Sequence, residues 1–252
     1  MNKRNILLKI QYDGTNYCGW QRQPEEVTVQ GEIERALSIL CAQEITINGC
    51  SRTDTGVHAF SQMASFIGEF AIPTENIKYA LNNLVNDDIY ISDVIEVDEE
   101  FHARFNCIGK KYRYEIINSV NRDPFYINRA YFVRKPLNFE NMRKAAGSIV
   151  GKKDFASFQA AGSNPRETTV RTIYNLDLIE EDYPDGRKLV IEVAGDGFLY
   201  NMVRIIVGTL VDVGLGRIES SEVKDIIASC DRTKAGHTAP PQGLYLKEVY
   251  YE

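Results

Sequence analysis

The chain has 252 residues, of which 44% are apolar and 25% charged, with 18 Gly, 8 Pro and a formal net charge of −6. This mix lies near the globular average and excludes collagen-like, low-complexity and wholly disordered chains, while the length suits one large domain or two ordinary ones. No apolar run reaches the ~18 to 20 residues of a membrane span. The best candidate, Met202 to Leu210, is too short and carries Arg204.

Met1 to Gln11 lacks the apolar stretch and small-residue cleavage site of a signal peptide, so a soluble, cytoplasmic protein is expected. Five scattered cysteines (18, 41, 50, 107 and 230) and three dispersed histidines fit neither a disulfide framework nor a zinc knuckle. The charge is uneven. Residues 1–101 carry a net −9, residues 102–171 a net +9, and residues 172–252 a net −6. The basic middle block could contact phosphates despite the acidic total, or be a solvated mixed surface.

Ile6 to Tyr12 reads as a strand that stops at the turn signal Asp13-Gly14. A polar, aromatic loop runs to Pro24. From Val29 the apolar spacing is helical through Leu40, with Thr28 as N-cap. Strands follow at Ile45–Ile47 and Gln62–Ile67, then a helix opened by Pro73-Thr74, then a strand over Ile89–Val97. The order is β-α-β-β-α-β, the ferredoxin-like pattern.

A second set follows. Strands are expected over Lys111–Ile117 and Arg129–Arg134, and a helix from Asn138 to Val150. Ala156–Thr169 reads as a long exposed loop. Strands Val170–Ile179 and Lys188–Val193 are joined by an acidic turn, Glu180–Gly186. An apolar helix over Phe198–Val213, a short one over Ser220–Cys230 and a strand over Gly243–Tyr250 complete the chain. The fold class expected is α+β. It has two ferredoxin-like halves, residues 1–104 and 105–252, with antiparallel sheets side by side and an active-site cleft between them.

Three motifs carry chemistry. Asp54-Thr55-Gly56 matches the aspartic-protease triplet, but those enzymes need two carboxylates sharing a proton, and Arg52 nearby opposes that. In its wider setting, Cys50 to Ala59, the triplet lies on a loop between strands. A carboxylate beside the Arg52 guanidinium stays ionised and can act as nucleophile or base; the alternative is an Asx-turn with a surface ion pair. Arg204 sits in a helix that is apolar nearly all round, so it requires a carboxylate, a phosphate or an opening. Lys110-Lys111-Tyr112-Arg113-Tyr114 alternates basic and aromatic residues on a strand, as a base-stacking surface or an ordinary edge strand would. Gly195-Asp196-Gly197 opens like a dinucleotide fingerprint, but Tyr200 replaces its third glycine.

Taken together, these stretches resemble the tRNA pseudouridine synthase A (TruA) family. The resemblance spans nearly the whole chain, in order. It comprises Tyr12-Asp13-Gly14, Gly19-Trp20-Gln21-Arg22-Gln23, Val29 to Glu34 and Ser51 to Ala59. It continues with Phe101-His102-Ala103-Arg104, Lys111 to Tyr114, Phe198 to Arg204 and Pro241 to Leu246. The chain departs from the usual family pattern at Ser51, Thr55 and Asn201. None of these removes a group the chemistry needs.

The resemblance implies isomerisation of uridine to pseudouridine in the anticodon stem-loop of tRNA, at positions 38 to 40, by a homodimer without cofactor or metal. It implies that Asp54 is the catalytic aspartate, that Arg52 holds the flipped-out nucleotide, that Tyr112 stacks on the target base, that Arg204 pairs with Asp54, and that Leu244 helps wall the pocket. Lys110, Lys111, Lys152, Lys153, Arg166 and Arg171, from the basic block, are the candidates for tRNA-backbone contacts. The alternative is a non-catalytic RNA-binding module of two ferredoxin-like halves.

Overall fold

The structure, a computed structural model, describes residues 3–162 and 168–252. The chain forms two compact units, one from residues up to 108 together with 245–252, the other from 109–244. A single division after residue 104 is thus met by one after 108, and the last eight residues return to the first unit.

In the first unit, β1 (Lys3–Tyr12) lies between β3 (His58–Glu69) and β4 (Ile89–Val97), antiparallel to both. The free edge of β3 takes the two-residue β2 (Asn48–Gly49) and, near its start, β10 (Leu244–Tyr250) in parallel. With α1 (Val29–Cys41) and α2 (Thr74–Asn82) this is the β-α-β-β-α-β order, strands running 4-1-3-2, plus one returning strand. Ile6, Leu8 and Ile10, which share one face of β1, are completely buried. They form the core with the apolar stripes of α1 (Val29, Ile33, Ala36, Leu37) and α2 (Ile77, Leu81). Thr28 caps α1 by accepting the Gly31 N–H at 3.2 Å.

Ile45–Ile47, expected as a strand, is not one. Its amides turn to helix side chains instead: Ile45 N–H donates to Ser38 Oγ at 3.0 Å and Ile47 N–H to Glu34 Oε1 at 3.0 Å. Both isoleucines are still buried, so the alternation was a burial signal without a ladder.

In the second unit, β5 (Gly109–Ser119), β9 (Gly186–Gly195), β8 (Val170–Tyr183) and β7 (Gly151–Asp154) pair in that order, all antiparallel. The short β6 (Tyr131–Val133) runs parallel to β5. The helices are α3 (Phe139–Gly147), α4 (Met202–Gly214) and α5 (Val223–Ser229). The strand expected as this half's sixth element, β10, clusters with the first unit.

Three expectations need correction here. The acidic turn shrinks to Pro184-Asp185, because Glu180 and Glu181 continue β8 and pair across the hairpin with Arg187 (2.7 Å) and Lys188 (3.7 Å). The expected loop Ala156–Thr169 begins with a turn that buries Ser157 and Phe158; its residues 163–167 lie outside the described residues. The helix expected from Phe198 starts at Met202, after Asn201 at φ 58°.

Candidate active site

Asp54 lies in the first unit, half-buried, on the loop between β2 and β3. Three neighbours and one internal bond fix that loop. Trp20 N–H donates to Thr53 O at 3.0 Å, and the Thr53 hydroxyl meets Tyr12 Oη at 2.8 Å. Gln62 grips the Ser51 backbone at both N–H (3.2 Å) and C=O (2.7 Å). Val57 N–H closes the turn onto Asp54 O at 3.1 Å, with Gly56 at φ 76°. The 12–20 segment can approach this closely only because it carries glycines. A Cβ on Gly14 would lie 2.0 Å from Val57 O, and one on Gly19 2.5 Å from Thr53 O.

His58, at the loop's far end, accepts the Gly14 N–H on Nδ1 at 3.0 Å, which leaves its proton on Nε2. Its ring stacks on Tyr245 with centroids 4.7 Å apart. The same Nδ1 is 3.2 Å from Asp13 Oδ1. Arg52 is exposed, and among the described residues it forms no ion pair. The surface ion pair of the alternative reading, Arg52 with Asp54, does not form. The exposed guanidinium is presented to solvent, where an anion can reach it.

The other predicted site residues lie in the second unit, around the start of α4. Tyr112 on β5 is buried with its ring edge-to-face on Phe198, centroids 5.1 Å apart. Arg204 is half-buried: its Nε donates to Ala239 O at 2.8 Å and an Nη to Asn201 Oδ1 at 2.7 Å. The helix answers through Ala239 N–H to Arg204 O at 3.0 Å. Further along this seam, Gly236 N–H donates to Thr209 Oγ1 at 2.9 Å, and a Cβ on Gly208 would strike His237 O at 1.7 Å. Tyr114 is fully buried and donates to Pro240 O at 2.6 Å; burial pushes its hydroxyl well above the usual value, so it remains a donor. Leu244, buried, follows this segment as the first residue of β10.

Asp212 anchors the same segment. It holds His237 Nδ1 at 2.9 Å and Arg217 at 2.7 Å. Burial alone would raise its carboxyl, but the hydrogen bonds from His237 and Arg217 outweigh that and hold it below the usual value. A cavity of ≈ 370 Å³ between Ile117, Tyr126, Tyr131 and Gln242 includes none of the predicted residues.

The basic candidates divide. Lys111 pairs with Glu192 at 2.7 Å, and Arg113 beside it meets Glu115 at 2.7 Å and Glu192 at 3.4 Å. Much of this strand's charge is therefore matched within the sheet. Lys110 is half-buried at the start of β5. Lys152 is exposed on β7, and Lys153 lies directly across from Arg171 on β8. Arg166 lies outside the described residues.

A family model described as tRNA pseudouridine synthase matches residues 9–106 and 145–252. The chain belongs to the tRNA pseudouridine synthase family. It is 52% identical to tRNA pseudouridine synthase A of Ruminiclostridium cellulolyticum over 249 residues, 98% of this chain and 100% of the relative. It is 50% identical to the protein of that name from Acetivibrio thermocellus and 47% to that from Thermoanaerobacter sp., with the same coverage.

Within this tRNA pseudouridine synthase chain, sequence reasoning missed the residues that hold the site rather than those that fill it. Gly14, Gly19, Gln62, Asn201 and Ala239 do not stand out as chemical groups. Gly14, Gly19 and Asn201 lie in stretches that carry the resemblance, and the glycines of Asp13-Gly14 and Cys18-Gly19 mark a close backbone approach, but neither signal names the partner.

Proposed function

We propose that this protein converts uridine in tRNA to pseudouridine, with the Asp54 carboxylate as the catalytic group. The reaction is an isomerisation. The bond between ribose C1′ and uracil N1 breaks, a bond from C1′ to C5 forms, C5 gives up a proton and N1 takes one. No oxidant, reductant or second substrate is needed to balance it. An ionised carboxylate can attack the sugar, attack the base or remove a sugar proton, and each route begins from the same Asp54 oxygen.

The stapled Asp54 loop, in a chain matched along its length by relatives named tRNA pseudouridine synthase A, is what supports this reading. A loop held at Ser51, Thr53 and Val57 can present one carboxylate without reorganising during reaction. The remaining roles follow the chemistry of each group. Arg52 takes the phosphate of the extruded nucleotide. Tyr112 stacks on the target base and offsets part of the flipping cost of roughly a few kcal/mol. Arg204 supplies a fixed cation, and Leu244 an apolar wall.

The N-terminal half, residues 1–104, thus brings the carboxylate. The C-terminal half, 105–252, brings the stacking ring, the helix arginine and the basic surface. Lys110, Lys152, Lys153, Arg166 and Arg171 contact the tRNA backbone, Lys111 more weakly because Glu192 already neutralises it. The uridines lie at positions 38 to 40 of the anticodon stem-loop, and the enzyme acts as a cytoplasmic homodimer.

Nucleotide-resolution mapping of pseudouridine in unmodified tRNA transcripts after incubation with the protein tests this. Conversion confined to positions 38 to 40 is expected. Tight binding without conversion would leave a non-catalytic RNA-binding module, and conversion elsewhere would overturn the site assignment on tRNA.

A further inference from the structure

Residues 102–106 form a turn in the first unit whose exterior has no role in the functions described above. Phe105 is 76% exposed. Its ring lies 4.3 Å from the His102 ring, and the Arg104 guanidinium is 5.8 Å from its centroid. Arg104 is exposed and, among the described residues, forms no ion pair.

A flexible loop could expose an aromatic by chance, but this turn is not built that way. Five consecutive amides are hydrogen-bonded. His102 N–H donates to Asn106 Oδ1 at 2.8 Å, Ala103 N–H to Ser65 Oγ at 3.0 Å and Arg104 N–H to His102 Nδ1 at 3.1 Å. Phe105 and Asn106 N–H both donate to His102 O, at 3.1 and 3.0 Å. Ala103, fully buried, packs with Leu7, Cys50 and Met63, and its carbonyl accepts the Tyr251 hydroxyl at 2.7 Å. One methyl is thus sunk into the core while its neighbours on either side are held outward.

We infer that this turn is a preformed platform for an unpaired nucleotide of the RNA substrate, the base stacking on Phe105 and its phosphate meeting Arg104. The inference rests on reading the protein as a tRNA-modifying enzyme. An exposed ring beside an unmatched guanidinium suits a base and its phosphate, since every base offers a π-face and every nucleotide a negative charge. A rigid turn loses little entropy on binding. Cys50, in the cluster beneath Ala103, opens the loop that carries Asp54 four residues later, at most about 14 Å of chain. The platform therefore serves nucleotides flanking the target, not a distant arm of the tRNA.

The test is an anisotropy titration of an unmodified tRNA transcript at several salt concentrations with wild type, Phe105→Ala, Phe105→Trp and Arg104→Gln, with melting curves for each. Phe105→Ala should weaken binding about 5- to 150-fold at an unchanged melting temperature, with Trp restoring it. Arg104→Gln should flatten the slope of log affinity on log salt by about 0.7 to 0.9. Wild-type binding and conversion with Phe105→Ala and Arg104→Gln both unaffected would overturn the platform alone. So would an affinity loss that Trp does not rescue in a protein that melts early. A wild type that does not bind tRNA would overturn the functional reading, and the platform with it.

Discussion

The Trp20 amide donates to the Thr53 carbonyl at 3.0 Å, one residue before Asp54. This bond ties the candidate catalytic loop to the segment after β1, and it exists because Gly19, at φ 82°, has no Cβ to strike Thr53 O. Gly19→Ala should therefore cost about 1–3 kcal/mol, from a strained φ and an overfilled contact. It should lower pseudouridine formation more than tRNA affinity, because the displaced loop carries Asp54 and only one of the proposed phosphate contacts, Arg52. Urea melts and single-turnover assays check it; wild-type values for both would show that the staple is dispensable.

Asp54→Asn keeps the shape of the side chain and removes its charge. Turnover should fall by more than about a thousandfold while tRNA affinity stays near wild type, since phosphate contacts dominate binding. Residual conversion above that level would remove Asp54 from the catalytic role.

Arg204 donates to Ala239 and Asn201 from a fork that lysine cannot reproduce. Arg204→Lys should retain the fold with much reduced activity. Arg204→Leu should be worse for activity yet lose only about 1–3 kcal/mol of stability, the cost of donors withdrawn from the buried Ala239 carbonyl and the half-buried Asn201 amide. Full activity in Arg204→Leu would exclude a part in the reaction.

The Asp212 carboxyl sits below its usual pKa, so its stabilising effect is present above the unfolded value of about 3.9 and disappears as pH falls through the folded value. Wild type should therefore lose melting temperature below about pH 4 more steeply than Asp212→Asn, which lacks this titration. At pH 7 the order of stability should favour wild type. Parallel acid limbs in a melting series from pH 6 down to pH 2.5 would contradict this.

Gly208 faces His237 O where a Cβ would stand at 1.7 Å. Gly208→Ala should force the 235–239 segment off α4 at a cost of about 1–3 kcal/mol or more, although alanine is the better helix former. A stabilised variant would mean the seam yields freely.

The β-α-β-β-α-β order was legible because β1 is a short apolar run ended by Asp13-Gly14, β4 alternates with period two and α1 repeats at helical spacing, and both periods follow from backbone geometry alone. Asp54 was legible as a candidate because an acidic residue beside arginine in a glycine-bearing loop is a chemical pattern. Ile45–Ile47 was misread because its burial arises from bonds to α1 rather than from strand pairing. The Glu180–Gly186 turn was misread because a carboxylate looks solvated until its cross-strand lysine or arginine is known.

By itself, the sequence determined the periodic elements, the groups able to do chemistry and the family to which the chain belongs. Only the tertiary structure decided what holds those groups. It set Gly14 and Gly19 against the Asp54 loop, Arg204 against Ala239, Lys111 against Glu192, and β10 beside β3 rather than with the half that precedes it in sequence. The reason is physical. Periodicity and residue type are local properties written along the chain, whereas a close approach or an ion pair depends on which distant residue the fold brings within about 3–4 Å.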